Sequence, residues 1–543
     1  MQASERVPCA PVDATRPPRW RAWLSAAGLA LGAVVLSPGA IAQQPTTVKI
    51  VLQSQLRILD PVLTVAYSTR NHGYLIYDTL FSMDAKSVPQ PQMVERYTVS
   101  ADKMNYSFTL RPGLKFHDGT PVTSEDVIAS LKRWQSRDQM GVRLFAALQE
   151  MKAVDPRTFT IQLKSPFGLV LETLAKQSSP VPFIMPARIA AAPPSQAITE
   201  FVGSGPWKFV PGDFQPAVKA TYLKFNEYVP RKEAPSGFAG GKVALADRLE
   251  LVSIPDPQTA VQALRAGEID YIEDVPPDLM SQLEKAPGIT LKDFGANSDM
   301  LTLRMNWLQP PFNDVKVRRA ALAAINQVDY LDAQFGNPKI YQLCGAVLSC
   351  VSPYATEQYA TQTRAPDLAK ARALLKESGY DGSKVVILHP TDITVLSAMA
   401  SITAQALRGI GMNVEIQSMD YTTMQSRRTK KDPIAQGGWN IVHSQWSTLD
   451  LLTPIINPNL DGRGEAGYIG WSKSDRMEKL RNDFAAESDM AKKKQIAVEV
   501  QKLNYEEVFY IPLGGFSKIK AYNAKMARMV DAPLPLFWLG SRP

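Results

Sequence analysis

Several residues in this 543-residue chain could do chemistry by type and spacing. His117 and Asp118 stand side by side within "FTLRPGLKFHDGTPVTSEDVIASLKRW", residues 108–134. A dyad of this kind needs a nucleophile in hydrogen-bond reach, and none is local. Ser204 in "FVGSGPWKF" suggests the strained nucleophile elbow of serine hydrolases, but Val202 occupies the position of the first glycine of G-x-S-x-G. Lys242 in "SGFAGGKVA" suggests a phosphate loop. There Ser236 replaces the first glycine, and Val243 follows the lysine where Ser or Thr is needed. Each motif is incomplete, so neither a secreted hydrolase nor a nucleotide enzyme is favoured. The four histidines are scattered, which is a poor basis for nickel or zinc coordination. No metal and no cofactor are expected.

The formal charge is +8, yet the densest basic run is short, "SRRTKKD" from Ser426 to Asp432. Such a run is expected to be an exposed, solvated loop, and no nucleic-acid partner is expected. The first 42 residues read as a secretory signal peptide. Arg16, Arg19 and Arg21 precede a 13-residue apolar run, Leu24 to Leu36, and Ala40 and Ala42 form an A-x-A cleavage pattern. The run is too short for a membrane span, which needs about 20 residues. Cleavage after Ala42 would remove four arginines and two acids and lower the formal charge to +6. Export would place Cys344 and Cys350, in "CGAVLSC", in an oxidising compartment. A disulfide between them is then expected, with two buried free thiols as the alternative.

The elements that would position functional groups follow from pattern. "VKIVLQSQ" reads as a buried strand, and Leu75, Tyr77, Leu80 and Phe81 recur at helical spacing. "RYTVS" with "YSFTL", and "AVD" with "TFTIQL", read as two hairpins. Between them Thr123 caps a helix, with Asp126 completing a capping box and Val127, Leu131 and Trp134 forming its apolar face. Residues near 86–199 thus make a small α+β unit. Further on, helices are expected after Thr259, over "FNDVKVRRAALAAINQ" and over "PDLAKARALLKESGY". "KVVILHP", a helix from Val395 to Arg408, and "MNVEIQSMD" form a β-α-β unit, which implies parallel strands. The tail, "EVFYIPLGGFSKIKAYNAKM", is strand-like and is expected to join the N-terminal lobe. Two α/β lobes with chain crossing between them leave a cleft, a favoured place for ligands.

The chain resembles, nearly end to end, the family 5 solute-binding proteins of bacterial ABC importers. The resemblance rests on "YSFTLRPGLKFHDGTPVTSEDV" (Tyr106 to Val127), "YDTLF" (Tyr77 to Phe81), "GSGPWKF" (Gly203 to Phe209) and "LRAGEIDYI" (Leu264 to Ile272). "NWLQPPFNDVKVRRAALAAIN" (Asn306 to Asn326), "ALLKESGY" and "YIPL" (Tyr510 to Leu513) complete it in order. It implies an α/β, two-lobed periplasmic-binding-protein fold (type II, cluster C-like) with a small inserted α+β domain and an interdomain ligand cleft. The implied layout is a signal peptide at 1–42, domain I at 43–85, 200–300 and 506–543, the inserted domain at 86–199, and domain II at 301–505. It further implies a periplasmic monomer that captures a peptide or peptide-like small molecule and hands it to a membrane permease with its ATPase subunits. Opines, glutathione, oligosaccharides and metal complexes are the alternative cargoes, and a chaperone or signalling receptor on the same fold is the alternative role.

Ligand contacts implied by the resemblance fall on "GGWNIVHSQWSTLDLLTP", where a Trp and a nearby Asp are expected. Trp446 would be a ligand wall, Asp450 the partner of an α-ammonium, and His443 a polar contact. Gly437 and Gly438 would let backbone approach, and Trp439 is expected in the core. The spacing departs from the usual W-x-x-D, which weakens the peptide expectation. On the N-terminal lobe, "TVAYSTRNHGY" offers Tyr67, Arg70, Asn71 and His72. Arg304 and Asn306 lie near the crossover between lobes, where an arginine suits a ligand carboxylate or an interdomain ion pair.

Overall fold

A computed structural model describes residues 46–293, 299–360, 365–530 and 532–538. The expected signal peptide lies outside the described residues. Among the described residues no helix is long and apolar enough to cross a membrane.

Two sheets organise the molecule. The first has seven strands in the order Trp207–Phe209, Lys219–Lys224, Arg248–Val252, Thr47–Val51, Tyr271–Ile272, Ile519–Asn523 and Ile289–Asp293. Thr47–Val51 runs parallel to both of its neighbours. The second has six strands in the order Tyr341–Gln342, Tyr510–Phe516, Asp299–Met305, Ile441–Ser447, Val385–Pro390 and Val414–Met419. Val385–Pro390 is parallel to Val414–Met419 and to Ile441–Ser447, and the helix Met399–Gly409 makes the crossover, as the β-α-β pattern requires.

The tail differs from expectation in one respect. Tyr510–Phe516 pairs antiparallel with Asp299–Met305 in the second sheet, and only Ile519–Asn523 returns to the first. The passage back therefore falls at Ser517–Lys518 rather than at 506. Every residue of Tyr510–Phe516 is buried, and a strand of that kind needs neighbours on both edges and layers on both faces. The interior of the second sheet supplies them.

A third, four-stranded antiparallel sheet comprises Val94–Val99, Asn105–Leu110, Thr158–Leu163 and Leu148–Asp155, and these are the two hairpins. Beside it lies the helix Ser124–Gln135. Thr123 caps it with a complete capping box to Asp126, and it buries Val127, Leu131 and Trp134. The spacing of Leu75, Tyr77, Leu80 and Phe81 does not mark a helix. The helix is Tyr67–Ile76, and short strands follow at Asp78–Thr79 and Phe81–Met83.

The Tyr67–Ile76 helix is fixed in place at its end by the Gly203-Ser204-Gly205 loop. Gly205 N–H donates to the Ile76 carbonyl at 2.9 Å. A Cβ on Gly203 would lie 1.7 Å from that carbonyl oxygen, so only glycine permits the approach. His117 holds the same loop: its backbone N–H donates to the Gly203 carbonyl, its Nε2 to the Gly205 carbonyl at 3.0 Å, and its Nδ1 accepts from Gly203 N–H. The His117–Asp118 pair is scaffold. So is Lys242, which is buried against Asp78 at 2.7 Å.

Candidate functional site at the junction of the two sheets

The Tyr67–Ile76 helix presents its first turn toward the end of the Ile441–Ser447 strand. Ser68 Oγ donates to the Gln55 carbonyl and Thr69 Oγ1 to the Ile58 carbonyl, which fixes the helix start. Tyr67 then reaches across to the second lobe. Its hydroxyl donates to Asp450 Oδ2 at 2.6 Å and accepts from the Ser447 backbone N–H at 2.9 Å. Burial raises the Asp450 carboxyl above its usual range, and the nearby Arg70 charge opposes the rise. The same burial, reinforced by the Asp450 charge, raises the Tyr67 phenol well above its ordinary value, so it remains a hydrogen-bond donor.

Polar groups surround this contact. The Arg70 guanidinium lies 4.4 Å from the Tyr67 ring centroid. Asn71 donates to Glu273 at 3.3 Å, and Glu273 also accepts from the Gln53 backbone N–H at 2.9 Å. Lys518 donates to Gln53 at 2.7 Å and pairs with Asp299 at 3.1 Å, and Asp299 also accepts from Gln445. Arg70 Nε and Nη1 and Asn71 Oδ1, on the Tyr67 helix, are buried without a partner, as is Nε1 of Trp446, the residue before Ser447. Buried polar atoms are ordinarily paired, so these groups are open to a further partner. Trp446 is half-buried beside Tyr468, with ring centroids 5.9 Å apart.

The structure thus brings Tyr67 and Asp450 together, with Asn71 on the Tyr67 helix and Trp446 on the strand that ends beside the contact. It places the others elsewhere. His443 points to the helical side of its strand. Its Nε2 meets Thr403 Oγ1 at 2.7 Å, Thr403 meets the Tyr330 hydroxyl, and burial lowers its pKa to about 3. Arg304 is buried in the second lobe, where it donates to the Asn459 and Ile469 carbonyls. Among the described residues no acid pairs with it, its guanidinium packs on the Tyr468 ring, and its Nη2 is buried without a partner. Asn306 donates to the Trp439 carbonyl and accepts from Leu308 N–H, which makes it a turn-shaping residue. His72 bonds the Tyr222 hydroxyl within an aromatic cluster, and burial lowers its pKa to about 3. Trp439 is core. A Cβ on Gly438 would meet the Asp432 carbonyl at 2.0 Å, so that glycine serves local packing. Cys344 and Cys350 are joined in a disulfide, Cα atoms 6.0 Å apart. Glu357 lies close to both sulfurs, but the bond leaves no thiolate for a metal.

Gln53, Glu273, Asp299, Gln445 and Lys518 escape a reading of the sequence. Lys518 and Asp299 meet across 219 positions, and no local pattern encodes such a pair. The only available signal is that both stand where the chain passes between sheets.

Two α/β lobes, an inserted β unit and a polar junction spanned by Tyr67 define a type II binding protein. Residues 88–455 match the profile of bacterial extracellular solute-binding proteins, family 5 Middle, and this chain belongs to that family. It is 38% identical over 520 residues to the probable peptide ABC transporter periplasmic-binding protein y4tO of Sinorhizobium fredii, covering 94% of this chain and 97% of that one. It is 26% identical over 525 residues to the glutathione-binding protein GsiB of Salmonella typhi, covering 93% and 95%. Among solved structures it is similar to DppA from Helicobacter pylori in complex with the peptide STSA, with a TM-score of 0.74 at 20% identity over 91% of this chain and 98% of that one. It is also similar to AgaA from A. tumefaciens R10 in complex with agropinic acid, with a TM-score of 0.72 at 21% identity over 88% and 94%. At these identities the structural likeness speaks to the fold.

Proposed function

We propose that this protein is the periplasmic receptor of an ABC importer, and that it captures a peptide or peptide-like solute between its two lobes. The observation that carries the reading is the Tyr67 contact. One side chain of the first lobe bonds both a carboxylate and a backbone N–H of the second, and unpartnered buried polar atoms lie around it. The likeness to the probable peptide-binding protein of Sinorhizobium fredii supports the peptide class. In this reading Trp446 walls the solute, Asn71 offers an acceptor, and the remaining acceptor capacity of Asp450 faces a cationic group such as an α-ammonium. Solute joins the lobes as they close, a hinge motion, and the closed form docks on a membrane permease coupled to an ATPase. The protein acts as a monomer and binds its cargo without converting it.

The test is native mass spectrometry of the mature chain, begun at Gln43, after incubation with a mixed tripeptide library and desalting. Retained peptides of one-to-one stoichiometry are expected. Cleaved library members would instead identify a hydrolase, and retention of sugars or metal complexes in preference to peptides would replace the proposed cargo.

A further inference from the structure

The described residues include five buried arginines, Arg70, Arg133, Arg304, Arg318 and Arg481. Four of them donate to carbonyls or carboxylates. Arg133 donates to Asp60 and to the Gln196 carbonyl. Arg304 donates to the Ile469 and Asn459 carbonyls. Arg318 donates to the carbonyls of Glu507, Phe312 and Asn313. Arg481 donates to those of Pro454 and Ile455 and to Glu478. Each of the four thus has at least two acceptors, although Arg133 Nε and Nη1 and Arg304 Nη2 stay without one, and a buried charge needs such partners.

Arg70 is the exception. It is 4% exposed, its Nε and Nη1 have no acceptor, and among the described residues neither a carbonyl nor a carboxylate accepts from its guanidinium. Its contacts are a face-on approach to the Tyr67 ring and the field of Asp450 beyond it. It sits one helical turn after Tyr67, on a helix anchored at both ends, so its position is set by scaffold. On the same helix turn the two unpartnered Arg70 N–H groups stand against one unpartnered acceptor, Asn71 Oδ1, and this excess of donors on a buried cation suits an anion. The fork of Nε and an Nη matches the two oxygens of a carboxylate.

We propose that Arg70 is the carboxylate receptor of the binding site, so that the cargo must carry a free carboxylate. The inference rests on the reading that solute binds at the lobe junction. Applied to a peptide, it assigns the C-terminal carboxylate to the first lobe and leaves the positive group to Asp450 on the second. An acid is then selected over its amide, because an amide would leave a buried guanidinium without a counter-charge.

The experiment exposes the mature wild type, Arg70→Gln and Arg70→Lys to one mixture. The mixture holds a tripeptide library with free C-termini, the same library as C-terminal amides, non-peptide carboxylic acids and neutral oligosaccharides. Retained molecules are released by denaturation and identified by mass. The wild type is expected to favour acids over amides by about 30-fold or more, as a charge-assisted bidentate pair implies. In Arg70→Gln the ratio should fall to within about threefold, and Arg70→Lys, which keeps charge but not the fork, should lie between. Retention of non-peptide acids alone would support the receptor and overturn the peptide cargo. Equal retention of peptide acids and amides would overturn the receptor and leave the peptide cargo standing. Retention of oligosaccharides alone, or of nothing, would overturn both. Should Arg70→Gln fail to show a cooperative melt, the acid-to-amide ratio of the wild type decides by itself.

Discussion

Tyr67 and Asp450 lie 383 residues apart in sequence and 2.6 Å apart in space, hydroxyl to carboxylate. One stands at the start of a helix in the first lobe and the other just past a strand of the second. This bond can exist only while the lobes are together, so its strength is a direct contribution to the closed state.

Tyr67→Phe removes the bond and keeps the ring. Hydrogen bonds to charged groups contribute about 1.5–3 kcal/mol, so affinity for a retained peptide should fall about 10-fold or more. Calorimetry measures it. An unchanged affinity would mean that Tyr67 does not help the lobes stay closed.

Trp446→Ala should weaken the same peptide by about 2 kcal/mol, the scale of a central aromatic contact, while the chain still melts cooperatively. Trp446 is only half-buried, so its removal opens less void than loss of a core tryptophan. Wild-type affinity in a folded variant would take Trp446 out of the site.

Stability should fall as pH drops below about 6.5, the ordinary histidine value. His72 and His443 are held neutral by burial, with pKa values lowered to about 3. Unfolded chains take up these protons near pH 6.5, whereas the folded chain refuses them until about 3, so the stabilisation is complete above that window and lost within it. Between pH 7 and 5 each should cost about 2 kcal/mol. Urea titrations at the two pH values should show His443→Gln losing about that much less than the wild type. Identical losses would contradict the buried neutral state.

The Cys344–Cys350 bond closes a short loop, and reduction should lower stability by about 2 kcal/mol. Thiol titration of the denatured, unreduced mature chain should find no free thiol. Two free thiols would refute the bond.

The sequence made the scaffold legible wherever a pattern is local. The capping box at Thr123 and Asp126, the hairpins and the β-α-β unit all rest on contacts a few residues apart. It misled for His443. Strands of the second sheet are covered on both faces, so alternation does not separate the cleft side from the helical side. Polar residues on the two sides look alike until register is known, and register sets His443 opposite Leu303, on the face away from Trp446 and Met300. Tyr67 and Asp450 were legible as candidates, but their bond to each other was not, because nothing near either residue encodes the other.

Lys518 has a further consequence. It stands where the returning chain leaves the second sheet for the first, and it is bonded to Asp299, where the outgoing chain enters the second sheet, and to Gln53 beyond the Thr47–Val51 strand. Two passages pinned together behave like the paired knuckles of a door. Tied at one point, they define a line about which the lobes would turn, so that whatever fills the junction would act on the whole molecule through one angle.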